Sequence, residues 1–138
     1  MNCIFCEIVA GKIKAEVVWR TEAAVAFLDH RPLFPGHILL VPERHIVTLA
    51  DLPTAQVAPF FQSVQKLEHA VEKALGAEGT FIAINNHVSQ SVPHLHVHIV
   101  PRRKGDGLKG FFWPRQKYHS DEHLAETAEK LRAFMREQ

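Results

Sequence analysis

Residues 94–100 read HLHVHIV, a strict alternation of histidine with aliphatic side chains. Because successive side chains of a β-strand point to opposite faces, this pattern predicts a strand with one imidazole face and one apolar face. Its aliphatic side chains need a hydrophobic core to pack against; they are Leu95, Val97 and Ile99. The chain must therefore build a sheet with this strand inside it and a covering layer over its apolar face.

Periodicity elsewhere supplies that sheet and its cover. Four more short runs rich in β-branched, aliphatic or aromatic residues predict strands: 16–20, 24–29, 37–42 and 80–86. Within residues 52–75 apolar residues recur every three or four positions, which predicts an amphipathic helix that ends at Gly76 and has a kink or a late start at Pro59. Ser120 predicts the cap of a closing helix. The hairpin of 80–86 with the histidine strand then completes an α+β domain with a five-stranded antiparallel sheet and two principal helices, spanning residues 1–138 without a boundary.

Composition limits the partners of such a domain. A net charge of +1, from 16 basic and 15 acidic residues, argues against a nucleic-acid groove but permits a small anionic ligand. The N-terminus lacks the pattern of a signal peptide, and no segment resembles a membrane span, so we expect a cytoplasmic protein with no membrane partner. In that reducing compartment the C-x2-C pair of Cys3 and Cys6 favours metal or redox chemistry over a structural disulfide.

Three interpretations of the histidine face stay open on the residues alone. The face could be a solvated sheet surface. It could bind a catalytic zinc with Asp29 or His87 as a further ligand. In the third, one imidazole attacks an electrophilic phosphorus, which requires its other nitrogen to be held as N–H by an acceptor such as a backbone carbonyl. The flanking SQSV at 89–92 offers amide and hydroxyl donors for phosphate oxygens.

The string QSVPHLHVHIVPR resembles the signature of the histidine triad (HIT) family. CIFCEIVAGKI, VAFLDHRPLFPGHILLVPERHI and NNHVSQSVPHLHVHIVPR extend the resemblance over most of the chain. The resemblance implies a small α+β domain with a five-stranded antiparallel sheet, which forms homodimers that join two sheets into one.

The resemblance also implies a site that binds a purine nucleotide and cleaves at the α-phosphate through a nucleotidyl-histidine intermediate. His96 would be the nucleophile, and His98 would hydrogen-bond the phosphate or the leaving group. Gln90 and Ser91 would hold phosphate or bridging oxygens, and Asn85 would contact the phosphate.

The nucleoside would lie beside these groups. Asp29 matches the position that holds the ribose hydroxyls, a role that suits a carboxylate because it accepts two hydrogen bonds at once. Five apolar residues match the base pocket, with plain core packing as the alternative: Ile4, Phe5, Ile8, Phe27 and Leu28.

The N-terminal cysteines resemble a subset of the family that carries a structural zinc. Its ligands correspond to Cys3, Cys6, His45 and His94. Two thiolates leave two tetrahedral positions that histidines normally fill. The alternatives are a redox pair and two thiols without metal.

The C-terminal part resembles the fragile histidine triad and dinucleoside polyphosphate hydrolase branch. Five cations could neutralise a polyphosphate or form a solvated loop: Arg102, Arg103, Lys104, Lys109 and Arg115. Trp113 and Tyr118 could stack on a second base or dock the closing helix.

Two features of the turn before the histidines do not fit the resemblance. The turn NNHVSQ is shorter than the family's and carries Ser89 in place of glycine, and His87 has no family role. We therefore predict a hydrolase or transferase acting on dinucleoside polyphosphates. Phosphoramidate hydrolysis, phosphorolysis and a non-catalytic nucleotide-binding regulator are the alternatives.

Overall fold

The structure is a computed structural model that describes residues 2–108 and 115–138. They belong to two compact units, one ending at Asp106 and the other beginning at Gly107.

The five predicted strands and the two predicted helices occur in the predicted order, and two short helices add to them. In the first unit they are α1 (Ile4–Val9), β1 (Val17–Arg20), β2 (Ala24–Leu28), β3 (Ile38–Pro42), a 3-10 helix (Leu49–Asp51), α2 (Thr54–Leu75), β4 (Gly79–Ile84) and β5 (Val97–Arg102). The second unit contains α3 (Asp121–Arg136). The strands form one antiparallel sheet in the order β1-β2-β3-β5-β4, which confirms the predicted fold and the hairpin between β4 and β5.

The side chains of residues 94–100 point to alternate faces as predicted, but the strand starts later than predicted. β5 begins at Val97, so His94 and His96 lie in the segment before it. Pro93 has no amide hydrogen for a ladder, and the segment bonds to its neighbours through single contacts, such as the Leu95 amide to the Ile46 carbonyl at 2.6 Å. The alternation of faces nevertheless continues through it.

The sheet is covered on both faces. Toward α2, the strand residues Leu40, Val97 and Ile99 pack in one cluster with helix residues that include Phe60 and Leu67. On the other face a second cluster joins residues of α1 to β2 and β3: Cys3, Phe5, Ile8, Val25, Phe27, Leu39 and Val41. The short α1 therefore covers the histidine face of the sheet.

The helices end largely as predicted. α2 starts at Thr54 and runs through Pro59, so the predicted late start is wrong, and the alternative of a kink at Pro59 stays a prediction. A proline this early removes only one helical hydrogen bond, which the packing of the following turns outweighs. Gly76 ends the helix in the left-handed conformation, with φ 67°. Ser120 caps α3 by accepting a hydrogen bond from the His123 amide at 3.0 Å. Among the described residues no helix is long and apolar enough to cross a membrane.

Candidate active site

A cavity of about 710 Å³ lies on the histidine face of the sheet. Nine of the residues named from the sequence line it: Ile4, Phe5, Ile8, Phe27, Leu28, Asp29, Ser91, His96 and His98. The sequence did not single out the others: Ile13, Lys14, Ala15, Glu16, His30, Leu39 and Val92. The lining therefore combines imidazole, hydroxyl and carboxylate groups with aliphatic and aromatic side chains.

His96 is oriented by the backbone beside it. Its Nδ1 lies 2.8 Å from the carbonyl oxygen of His94, which can only accept, so Nδ1 carries the ring proton. A neutral ring then has its lone pair on Nε2. The edge of the Phe5 ring packs against the imidazole at a centroid distance of 5.0 Å, and the side chain is 3% exposed. His96 thus has the geometry that a nucleophilic imidazole needs.

His98 pairs with a histidine that the sequence analysis missed. Its Nδ1 lies 3.0 Å from Nε2 of His37, the residue just before β3. Burial first, and then the neighbouring His96 and His37, lower the pKa of His98 to about 4, while Asp29 acts in the opposite direction. The signal for His37 was available in the strand register. Leu39 pairs with His98 across β3 and β5, and His37 shares the face of Leu39.

Asp29 follows β2 directly and lines the cavity. Its Oδ1 accepts a hydrogen bond from the Arg31 amide at 2.9 Å, and its side chain is 20% exposed. Because this bond fixes the carboxylate while leaving lone pairs on both oxygens, Asp29 can accept from hydroxyl groups of a ligand in the cavity.

The turn before the histidines is held away from the cavity. Gln90 donates to the Val47 carbonyl at 2.6 Å and accepts from the His87 amide at 3.0 Å. Neither Gln90 nor Asn85 is among the residues that line the cavity. Ser89 adopts φ 61°, a left-handed conformation that glycine adopts more easily. The structure brings Ser91 to the cavity and does not bring Gln90 or Asn85 there.

A second cluster gathers Cys3, Cys6, His45 and His94, whose ligand atoms lie within 4.8 Å of one another. His94 Nδ1 is 3.5 Å from both sulfurs, and His45 Nδ1 is 3.3 Å from the sulfur of Cys6. His94 Nε2 donates to the Pro42 carbonyl at 2.9 Å, so its Nδ1 lone pair faces the thiols.

This donor set fits a tetrahedral zinc ion. Zinc lies about 2.3 Å from thiolate sulfur and about 2.0–2.1 Å from imidazole nitrogen, which places neighbouring S and N ligands roughly 3.5 Å apart. The spacings above match that edge. Without a cation, burial and the adjacent Cys3 raise the pKa of the Cys6 thiol, an arrangement that a divalent ion would relieve.

Two of the five basic residues that could neutralise a polyphosphate already form hydrogen bonds within the protein. Arg102 forms a two-bond pair with Asp106 at 2.6 and 3.0 Å, and Arg103 donates to the carbonyls of Leu75 and Gly76. Lys104 is exposed. The predicted roles of Lys109 and Trp113 fall outside the described residues. Arg115 and Tyr118 belong to the second unit, where the Tyr118 ring lies 5.5 Å from that of His123.

Comparison with known proteins identifies the fold family. The HIT domain model matches residues 10–105.

The chain belongs to the HIT domain family.

Curated HIT relatives include hydrolases of two kinds. The asymmetrical bis(5'-nucleosyl)-tetraphosphatase of Schizosaccharomyces pombe is 38% identical over 96 residues, covering 68% of this chain and 53% of that protein. The chain therefore matches about half the length of that relative. The adenosine 5'-monophosphoramidase of the same yeast is 35% identical over 116 residues, covering 83% of this chain and 84% of the relative.

Solved structures of similar sequence superpose closely on this one. A hypothetical protein from Leishmania major has a TM-score of 0.84 at 36% identity, with 99% of this chain and 98% of that chain covered. A zinc-bound histidine triad family protein from Mycobacterium smegmatis has a TM-score of 0.74 at 37% identity, covering 89% and 88%.

Proposed function

We propose that this HIT protein cleaves dinucleoside polyphosphates at the α-phosphate through a covalent nucleotidyl-His96 intermediate. The observation that carries the proposal is the hydrogen bond from His96 Nδ1 to the His94 carbonyl, which leaves Nε2 as the nucleophilic atom at the cavity.

The reaction balances in two steps. The Nε2 lone pair of His96 forms a bond to the α-phosphorus, and the bridging P–O bond breaks as its electron pair leaves with the departing polyphosphate. Water then attacks the same phosphorus, the N–P bond breaks, and the released proton passes to solvent. In the intermediate the imidazole is cationic, and the His94 carbonyl that accepts from Nδ1 stabilises this charge.

The cavity wall supplies the remaining contacts. Asp29 would accept from the two ribose hydroxyls, and Ser91 would donate to a phosphate oxygen. The purine would lie against the aliphatic and aromatic wall formed by Ile4, Phe5, Ile8, Phe27 and Leu28. Gln90 and Asn85 remain proposed phosphate ligands, and Gln90 reaches that role when its amide leaves the Val47 carbonyl.

We assign the second cluster to a structural zinc held by Cys3, Cys6, His45 and His94. Four protein ligands complete a tetrahedron and leave no open position for a substrate. When bound, zinc contributes folding free energy and charge compensation for the two thiolates.

A phosphoramidase is the second candidate function. Its supporting observation is the monophosphoramidase relative, which this chain matches over a larger share of both chains than it matches the tetraphosphatase. The same His96 attack serves both, since the two substrates differ in the group that leaves the α-phosphorus.

Assembly and location complete the proposal. We expect a cytoplasmic homodimer, as the resemblance implies. β4 lies at one edge of the sheet, where a strand from a second copy could pair.

A substrate panel tests the proposal. Diadenosine triphosphate, diadenosine tetraphosphate and adenosine phosphoramidate are assayed with and without added phosphate. We expect His96→Asn to lose at least about 10³-fold in turnover, because the variant has no nucleophile, while nucleotide binding persists. Rapid quenching and mass spectrometry of the wild type should show a nucleotidyl adduct on His96. Full turnover in His96→Asn would refute the covalent route, and a faster phosphoramidate reaction would favour the second candidate.

A further inference from the structure

The helix α1 takes part in both candidate sites. Cys3 is its N-cap and Cys6 lies within it, and their sulfurs belong to the Cys/His cluster. Between and after these cysteines, Ile4, Phe5 and Ile8 line the cavity. Within one helix of six residues, side chains that could hold a metal ion are therefore interleaved with side chains that would contact a purine.

So short a helix is not stable by itself. Forming the first helical turn is unfavourable, and isolated helices shorter than about 12–15 residues are marginal in water. Contacts with the rest of the protein must therefore keep α1 in place. Apolar packing supplies one set, since Phe5 and Ile8 are 7% and 9% exposed in a cluster with Phe27 of β2 and Leu39 of β3. Such packing is not directional, so it holds α1 on the sheet without fixing its exact placement.

The Cys/His cluster supplies a second set of contacts, and these are directional. His45 follows β3, and its Nδ1 lies 3.3 Å from the sulfur of Cys6. His94 precedes β5, and its Nδ1 lies 3.5 Å from the sulfurs of Cys3 and Cys6. A tetrahedral ion among them would join α1 to both segments through bonds of fixed length. Without the ion, hydrogen bonds to sulfur take its place, and these are weak.

The part of the cavity wall that α1 forms also touches the proposed nucleophile. The Phe5 ring packs edge-on against His96 at a centroid distance of 5.0 Å and against His94 at 6.0 Å. One aromatic side chain therefore contacts an imidazole of each site. A displacement of α1 would change the shape of the cavity beside His96 together with the spacing of the two thiols.

We propose that metal binding at the Cys/His cluster raises the affinity of the cavity for a nucleoside, because the metal fixes α1 as the wall against which the base packs. This inference rests on the proposed function, since it describes the regulation of that same site. The coupling is reciprocal, so a bound nucleoside raises the affinity of the cluster for zinc by the same factor. Zinc is then an effector of the cavity as well as a contributor to folding.

Two simple ligands separate this route from the others by which a metal could act. Adenosine has a base that packs on the α1 wall, whereas inorganic phosphate has no apolar part. If the metal acted through the His94 carbonyl that orients His96, or through loss of the whole fold, phosphate binding would weaken as well. A direct electrostatic effect should be small, because a Zn²⁺ ion with two thiolates carries the same net charge as two thiols.

The first experiment measures both ligands on the full-length protein with and without zinc, below the unfolding temperature of the metal-free form. Calorimetry or NMR titration gives the Kd values. We expect metal removal to raise the Kd of adenosine about 10-fold and that of phosphate less than about twofold. An unchanged Kd for adenosine, or equal changes for the two ligands, overturns the proposal.

A pair of variants tests whether α1 carries the coupling. Ile4→Ala shortens a cavity side chain on α1, and Leu28→Ala shortens one on β2. Both should weaken adenosine binding to the zinc-loaded protein. Only Ile4→Ala should also reduce the ratio of the Kd without zinc to the Kd with zinc, because only that side chain moves with the helix. The same ratio in both variants would refute the role of α1.

The reciprocal measurement needs no folded metal-free protein. A chelator removes zinc from the loaded protein, with adenosine or phosphate present at equal fractional saturation. We expect adenosine to tighten zinc binding up to about 10-fold and phosphate to have a clearly smaller effect. Equal effects of the two ligands overturn the proposal, because they show that zinc loss unfolds the cavity as a whole.

Failure of this inference is distinguishable from failure of the proposed function. None of these measurements requires turnover, so a protein that binds adenosine but cleaves no dinucleotide still decides the coupling. If His96→Asn is inactive and adenosine binds equally well with and without zinc, only the inference about α1 fails. A wild type that binds no adenosine overturns both.

Discussion

Side chains on the two faces of residues 94–100 are buried for different reasons. Toward α2, Leu95, Val97 and Ile99 are fully buried in an aliphatic and aromatic cluster. On the opposite face His94 and His96 are equally inaccessible, at 0% and 3% exposed, yet their imidazoles make hydrogen bonds to backbone carbonyls. The first face is held by apolar area removed from water, and the second by polar partners whose loss is costly.

The comparison teaches that neighbouring residues of one segment serve separate tasks. His94 links the two sites of the histidine face: its side chain faces the thiols and its carbonyl orients His96. A change at the Cys/His cluster should therefore disturb folding and the proposed nucleophile, His96, together. A change on the α2 face should disturb folding alone.

Removing the metal should give the largest effect on stability, and it should act through the histidine face of residues 94–100. A strong chelator, or Cys3→Ser, should lower the unfolding midpoint sharply, because structural zinc contributes several kcal/mol or more to folding. Thermal unfolding and the zinc content by mass spectrometry measure this. The chelator should have little further effect on Cys3→Ser. A wild type that purifies without zinc and is indifferent to chelation would contradict the assignment.

Leu95→Ala should give the next largest effect, on the opposite face. Leu95 is 0% exposed, so we expect a loss of about 2–5 kcal/mol in the free energy of unfolding, from the removed methyl groups and the cavity they leave. Denaturant titration measures this. Turnover per folded molecule should hold, because Leu95 does not line the cavity. Val88→Ala is the matched control, since Val88 is 81% exposed and should cost almost nothing.

Lowering the pH should reduce the free energy of unfolding by a smaller amount, through the buried histidines. The pKa of His98 is lowered to about 4 in the folded protein, and that of His37 is lowered too, so the unfolded chain binds more protons below the ordinary histidine pKa of about 6.5. Stability contributed by the neutral rings is present above about pH 6.5 and falls as the pH is lowered toward 4.

The slope of stability against pH identifies the source. We expect His98→Gln to reduce the dependence between pH 6.5 and 4 by up to about one proton per molecule. His69→Gln, at an exposed position of α2, is the control and should keep the wild-type slope. Denaturant titrations across this range supply the values. An unchanged slope in His98→Gln would contradict a neutral buried His98.

Much of this architecture could be predicted from local patterns. Alternation with period two identified the histidine strand, short runs of β-branched, aliphatic and aromatic residues identified the other four, and the three-to-four spacing located α2. The resemblance named Cys3, Cys6, His45 and His94, which the fold brings within ligand distance. The late start of β5 at Val97 was not predictable, because it depends on which carbonyl lies opposite the Leu95 amide.

Gln90 and His37 show which parts of the candidate site could not be predicted from the sequence. Gln90 was expected at the phosphate, but its amide bonds to Val47, 43 residues away in the chain. His37 was passed over as part of an ordinary buried strand, and only the register of β3 against β5 shows that it shares a face with His98.

The sequence by itself determined which residue types alternate, where the elements lie, and that imidazoles and thiols are available for chemistry. Those properties are local, since they depend on periods of two and 3.6 residues and on caps and breakers. The tertiary structure alone decided the hydrogen-bond partners of the four central histidines, His37, His94, His96 and His98. Which ring nitrogen carries a proton depends on the acceptor or donor placed opposite it, and partners such as the carbonyl of Pro42 for His94 and the ring of His37 for His98 come from distant parts of the chain.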